Sequence, residues 1–303
     1  MRVAGQLDIG PLRFALRTGP GEAVRYSMPA YARFFSDGAA RAGSCPLIEM
    51  PVDVVRRAGP PPAREPLWRA GAHWAVWEEG PELVFHAGLQ APEEVHLACR
   101  AARDLSHTEL RISPAATSGG ICESPLRYPL DQILSWGLLS RIGGALMHAA
   151  VAVRGGTGWV FTGRSGAGKS TLSALCHAEG WRILNDDRAM VFRRGSEWKV
   201  AGTPWHGSGR FAAAAEVPLG GIFFLQQAAE DRLEPLEAAQ ARLSLLDVSA
   251  VPWFEDSWAQ GTLDGLDRLV REVEIRRFHF TKTPAAVRAL VSGQDHQRSG
   301  VCA

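Results

Sequence analysis

The chain has 303 residues, 46% of them hydrophobic, with 33 basic against 32 acidic side chains and a net charge of +1. Such content supports sizeable cores, the length suggests two domains, and the balanced charge argues against nucleic acid as a partner. Five scattered cysteines (Cys45, Cys99, Cys122, Cys176 and Cys302) form neither a C-x-x-C pair nor a zinc spacing, and no apolar run reaches the roughly 20 residues of a membrane helix, so a cytoplasmic protein away from the membrane is expected.

In chain order, residues 1–124 read as a mixed, β-rich module without catalytic motifs. A Pro- and Arg-rich stretch at 56–64 interrupts it. Apolar residues at 72–77 and 82–86 flank a Glu-Glu-Gly-Pro turn, which predicts a hairpin. Residues 91–104 read as a helix, 109–113 as a strand and 115–124 as a loop. A second domain is expected over 125–303. It opens with a helix over 130–139 and an apolar strand over 146–153 that carries His148. A strand over 158–162, a helix from Lys169 to a stop at Gly180, and a short strand over 181–187 follow. Later come helices over 236–243 and 263–272, a strand over 273–280, a helix over 284–290 and a loose polar tail after Gly293.

The most informative string lies between the 158–162 strand and its helix. Gly163-Arg164-Ser165-Gly166-Ala167-Gly168-Lys169-Ser170 fits the pattern G-x-x-x-x-G-K-[ST]. In such a loop the glycines let successive backbone N–H groups turn toward phosphate oxygens, the lysine reaches the β- and γ-phosphates, and the hydroxyl holds Mg²⁺. Gly163, Ser165, Gly166, Ala167, Gly168, Lys169, Ser170 and Thr171 are therefore the candidate nucleotide-binding residues, with Mg²⁺ on Ser170. Arg164 reads as a surface side chain, because the loop works through its backbone.

The strand after the loop helix ends in Asp186-Asp187. Two adjacent carboxylates divide naturally between metal support and acceptance of a hydroxyl proton. Neighbours on an extended strand point to opposite faces, so both serve one site only if the strand ends there. The competing reading is a solvated turn. His206 and Arg210 lie in a glycine-bearing loop, residues 202–210, where a guanidinium suits phosphate or substrate, or is merely solvated. His148 reads either as a hydrogen-bonded core or edge histidine or as a site residue. Trp205, Trp253 and Trp258 suit base stacking or core packing.

The order of glycine loop, single helix and strand with a terminal Asp-Asp resembles the HPr kinase/phosphorylase family and, more distantly, the ATP-dependent phosphoenolpyruvate carboxykinases. The strand with His148 and the segments Gly202-Thr203-Pro204-Trp205-His206-Gly207 and Pro218-Leu219-Gly220-Gly221-Ile222-Phe223-Phe224-Leu225 are similar to segments of HPr-kinase-like proteins. The resemblance implies an α/β fold: an HPr kinase C-terminal, P-loop domain beside a smaller mixed α+β N-terminal module. It also implies ATP and Mg²⁺ as cofactors, with Lys169, His148, Asp186 and Asp187 catalytic. Asp186 would be the base and Asp187 the metal ligand, in roles that are exchangeable, and His148 would ligate metal or donate a hydrogen bond to the phosphoryl group.

The chain lacks the E-[IV]-R-G-x-G signature of true HPr kinases after Asp187. The implied acceptor is therefore a serine hydroxyl of a peptide or protein, such as the precursor of a ribosomally made lasso peptide, or else a small-molecule hydroxyl. A P-loop ATPase acting as a conformational switch is the alternative of a different class. HPr kinases assemble as oligomers, so a homo-oligomer is a further expectation.

Overall fold

The computed structural model describes residues 1–37, 46–55, 59–89, 97–113 and 117–300. The chain divides into two compact units: Met1–Arg141 with Pro252–Gln260, and Ile142–Val251 with Gly261–Ala303. The boundary expected at residue 124 thus moves to 141, and a distant segment joins the N-terminal unit. Packing decides this. The helix Leu130–Ser140 has ten buried residues, and its Gly137 lies so close to Trp258 that a Cβ would come within 2.8 Å of the indole. Trp258 also donates from Nε1 to the carbonyl of Arg103 at 2.7 Å. No local sequence pattern announces a partner more than a hundred residues away.

The N-terminal unit is built on a nine-stranded sheet. Its middle strands are Leu12–Thr18, Ile48–Val55 and Thr108–Ile112, paired in parallel, with antiparallel pairs to either side. The predicted hairpin forms from Trp74–Glu79 and Glu82–Ala87, with Glu79 opposite Glu82. The predicted helix over 91–104 does not form where it is described. Residues 91–96 lie outside the described residues, and Leu97–Ala102 is a strand paired on both edges. Its alanines favour a helix, but strands pair along both of its edges and Cys99 is completely buried, which outweighs a weak propensity.

Residues 56–58 of the Pro- and Arg-rich stretch lie outside the described residues, as do 115–116 of the predicted loop. The rest of that loop forms Thr117–Ser118 and Ile121–Glu123, which join Ala23–Arg25 in a small sheet.

The second unit is a mixed α/β structure around one eight-stranded sheet. Five strands pair in a closed circuit: Ala145–Arg154, Thr157–Thr162, Glu216–Gln227, Glu197–Ala201 and Arg188–Arg194. Arg182–Asn185 adds to the first of these, while Ile275–Phe280 and Arg232–Pro235 extend the sheet from Glu216–Gln227. Residues alternate between the two faces with the strand period of two. Met147, Ala149 and Val151 join one core with Leu245, Leu266 and Leu269 from two helices. Ala150 and Ala152 join another with Phe161, Phe223, Leu172 and Leu290, which packs the helices Lys169–Ala178 and Pro284–Gly300. Each buried Phe or Leu contributes roughly 1.5–3 kcal/mol.

The tail after Gly293, expected to be loose, continues the backbone of the last helix to Gly300. No helix among the described residues is long and apolar enough to cross a membrane. Of the three indoles weighed for stacking, Trp205 and Trp258 are buried and Trp253 is exposed.

Candidate phosphate-loop site

The second unit carries the candidate site. The strand Thr157–Thr162 delivers the chain to Gly163, and the helix Lys169–Ala178 receives it. Gly168 is the N-cap, with φ of +108° and no side chain to cap the helix, so its first N–H groups are left for another acceptor. A Cβ at Gly168 would lie 2.5 Å from the buried ring of Phe280, so both backbone angle and space demand glycine. Gln227 Nε2 donates to the carbonyl of Gly166 at 2.8 Å and ties the loop to the end of a neighbouring strand.

Lys169 is only 7% exposed. Its Nζ donates to the carbonyl of Gly163 at 2.8 Å, holding the ammonium against the loop's own backbone. Burial pulls this ammonium below its ordinary range; the Asp187 charge opposes that and Arg188 adds to it. Ser165, Gly166, Ser170 and Thr171 are exposed, and Ala167 is half-buried. Arg164 is an exposed side chain within 3.5 Å of Asp247, as its reading from sequence expects.

The strand does end at the two aspartates. Asn185 closes one strand, Arg188 opens the next, and both strands pair with Ala145–Arg154. Asn185 Oδ1 accepts the N–H groups of Asp187 at 2.7 Å and Arg188 at 2.6 Å, which shapes the bend between them.

The two carboxylates then meet different surroundings. Asp186 is 4% exposed, and its oxygens accept the N–H of Gly207 at 2.8 Å and of Gly209 at 2.6 Å. Asp187 is partly exposed, and its Oδ1 lies 3.0 Å from His148 Nδ1 and 3.4 Å from Arg188 Nη1. Burial pushes the Asp187 carboxyl up. The His148 hydrogen bond and the charges of Arg188, His148 and Lys169 outweigh this and hold it below the ordinary carboxylate value. The His148 ring is set by the carbonyl of Asp187 at 3.0 Å and contacts Arg188 across the strand pair.

Asp187 is thus brought to His148 and Arg188 and feels the charge of Lys169, and Asp186 is turned into the loop at 202–210. His206 and Arg210 are exposed on that loop. His206 Nδ1 donates to the carbonyl of Gly207 at 3.0 Å, and Arg210 takes a φ of +56°. Arg188, Asn185 and Gln227 were missed from sequence. The first two flank the Asp-Asp pair and were there to be read. Gln227 stands opposite Phe280 in a parallel strand pair, a register that no local pattern signals.

Among the described residues, no three His, Cys, Asp or Glu side chains cluster to hold a metal alone. One exposed hydroxyl, Ser170, and one carboxylate, Asp187, nevertheless suit Mg²⁺, which keeps several waters and takes phosphate oxygens as its other ligands.

The model of the family described as SynChlorMet cassette protein ScmC matches residues 135–280, just under half of the chain. No curated protein matches. Among solved structures, the Hpr(Ser) kinase/phosphatase from Coxiella burnetii is similar at 14% identity over 51% of this chain and 98% of its own, with a TM-score of 0.31. The stretch similar to ScmC contains the strand of His148, the glycine loop, both aspartates and the loop of His206 and Arg210.

Proposed function

We propose that this protein is an ATP- and Mg²⁺-dependent kinase that transfers the γ-phosphoryl group to a hydroxyl, most simply a serine of a peptide or protein. The observation that carries this reading is the approach of one partly exposed carboxylate, Asp187, to the charge field of a buried Lys169 at the start of an uncapped helix. A polyphosphate seated on that helix end would meet the loop N–H groups and the ammonium.

In the reaction, the acceptor oxygen attacks the γ-phosphorus in line, the bond to the bridging β–γ oxygen breaks, and ADP departs. Lys169 exchanges its bond to the Gly163 carbonyl for the phosphates and stabilises the charge that develops there. Asp187 receives the acceptor's proton, with His148 and Arg188 fixing its orientation. The base role moves to Asp187 because both oxygens of Asp186 are engaged by backbone N–H groups. With Asp187 taken up as the base, Ser170 and phosphate oxygens rather than that carboxylate would hold Mg²⁺, which would supply charge neutralisation on the transferred group. The absence of the HPr-specific signature after Asp187 argues against the HPr carrier protein as the acceptor.

The test is mass spectrometry of serine-containing peptides after incubation with ATP and Mg²⁺. A phosphoryl gain that Lys169→Ala abolishes supports the reading. ATP turnover without any modified peptide turns it toward a small-molecule acceptor or an ATPase switch.

A further inference from the structure

Asp186 is more completely engaged than a base needs to be. Its two oxygens take backbone N–H bonds from Gly207 and Gly209, charge-assisted contacts of the stronger kind. The glycines make that approach possible. A Cβ on Gly209 would lie 2.7 Å from Asp186 Oδ2, and one on Gly207 would lie 3.1 Å from it. The residue before it acts on the same loop. Asn185 Nδ2 lies 3.1 Å from the carbonyl and the hydroxyl of Thr203 and from the carbonyl of Trp205. Asn185 also forms a backbone bridge to Ala212, and Ala213 donates to the carbonyl of Leu184. Two consecutive side chains, next to Asp187 in the chain, therefore fix both ends and the middle of a loop that exposes His206, Ser208, Gly209 and Arg210.

We propose that Asn185 and Asp186 form a clamp that positions this loop to receive the phosphoryl acceptor, with Asp186 a positioning residue and the loop the acceptor-recognition element. This deepens the kinase reading and rests on it. The loop's cation, Arg210, and its imidazole, His206, fit a peptide whose serine is flanked by acidic or carbonyl-rich groups. A rigid loop recognises at lower entropic cost than a mobile one, so the clamp's effect falls on acceptor binding rather than on chemistry.

The experiment uses the full chain with Asp186→Asn and, as a second variant that leaves the carboxylate in place, Gly209→Ala. Amide hydrogen exchange reads the clamp without any substrate. Both variants should speed exchange at residues 207–210 by about tenfold or more while leaving the helix after Lys169 protected. With ATP and a serine peptide that the unsubstituted chain phosphorylates, both should raise the peptide KM about tenfold, keep kcat within about threefold and leave ATP affinity unchanged.

A collapse of kcat at unchanged peptide KM in Asp186→Asn makes Asp186 the base and overturns the proposal. Unchanged exchange at residues 207–210 in both variants overturns the clamp itself. Absence of transfer by the unsubstituted chain instead overturns the kinase reading, and with it the acceptor role of the loop.

Discussion

Two glycine-rich loops flank the candidate site, and both carry backbone N–H groups of the kind that receive anions. In the loop at 202–210, the N–H groups of Gly207 and Gly209 already hold a carboxylate that belongs to the chain, Asp186. In the loop at 163–170, the helix that starts at Lys169 has no capping side chain and no acidic residue in its first turn. One loop is closed on a resident anion, and the other has no side chain of the chain capping its helix. Glycine content alone does not separate the two cases. What separates them is whether a carboxylate elsewhere in the fold reaches the N–H groups first.

The sharpest way to break the comparison is to remove the cation of the open loop. Lys169→Ala leaves the backbone cradle but deletes the ammonium now held on the Gly163 carbonyl. Phosphoryl transfer should fall by about a thousandfold or more, the scale expected for a lost electrostatic contact to a transferring phosphoryl group. Survival of transfer within tenfold would mean that the open loop is not where the phosphates sit. Next in size is Gly168→Ala. The positive φ and the 2.5 Å approach to the Phe280 ring act together, for a loss of about 3 kcal/mol in thermal or denaturant unfolding. Phe280→Leu in the same chain should return part of it, since it relieves the overlap but not the backbone strain. An additive loss in the double variant would show that the ring is not the obstacle.

These residues also mark how much was legible in the sequence. Gly163, Gly168, Lys169 and the strand-loop-helix order were readable because the phosphate pattern is local and its spacing is fixed by the loop. The end of the strand at Asp186-Asp187 was readable as a requirement, yet not the separate fates of the two carboxylates. Those depend on Gly207 and Gly209, some twenty residues later, reaching Asp186 first. The helix expected over 91–104 failed at Leu97–Ala102 for a similar reason, since strands on both sides outbid a local alanine preference. The boundary at 124 failed because Trp258 and Gly137 meet across more than a hundred residues.

A smaller effect tests how the open loop is held. Gln227 joins it through one neutral hydrogen bond, from Nε2 to the carbonyl of Gly166. Gln227→Ala should weaken ATP binding by about 1 kcal/mol, roughly fivefold, with little change in kcat for the bound complex. Calorimetric titration reads the first and saturating-ATP kinetics the second. An unchanged affinity would place the loop's order wholly in its glycines and in Phe280.

The smallest expected effect tests Asp187 by pH. The Asp187 carboxyl is raised by burial but lowered further by the His148 hydrogen bond and by the Arg188, His148 and Lys169 charges, so its folded value lies below the ordinary 3.8. A carboxyl depressed in the folded state stabilises fully above its unfolded value, and that contribution fades as pH falls through the folded one. The unsubstituted chain should therefore lose more stability than Asp187→Asn as pH drops from about 5 to below 3.8, while the two run parallel above about 5. Because Asp187 is partly exposed, solvent screening keeps the difference small, and it should shrink further in high salt. Parallel curves down to the lowest pH would mean that Asp187 is not held by its cationic neighbours, Lys169 of the open loop among them.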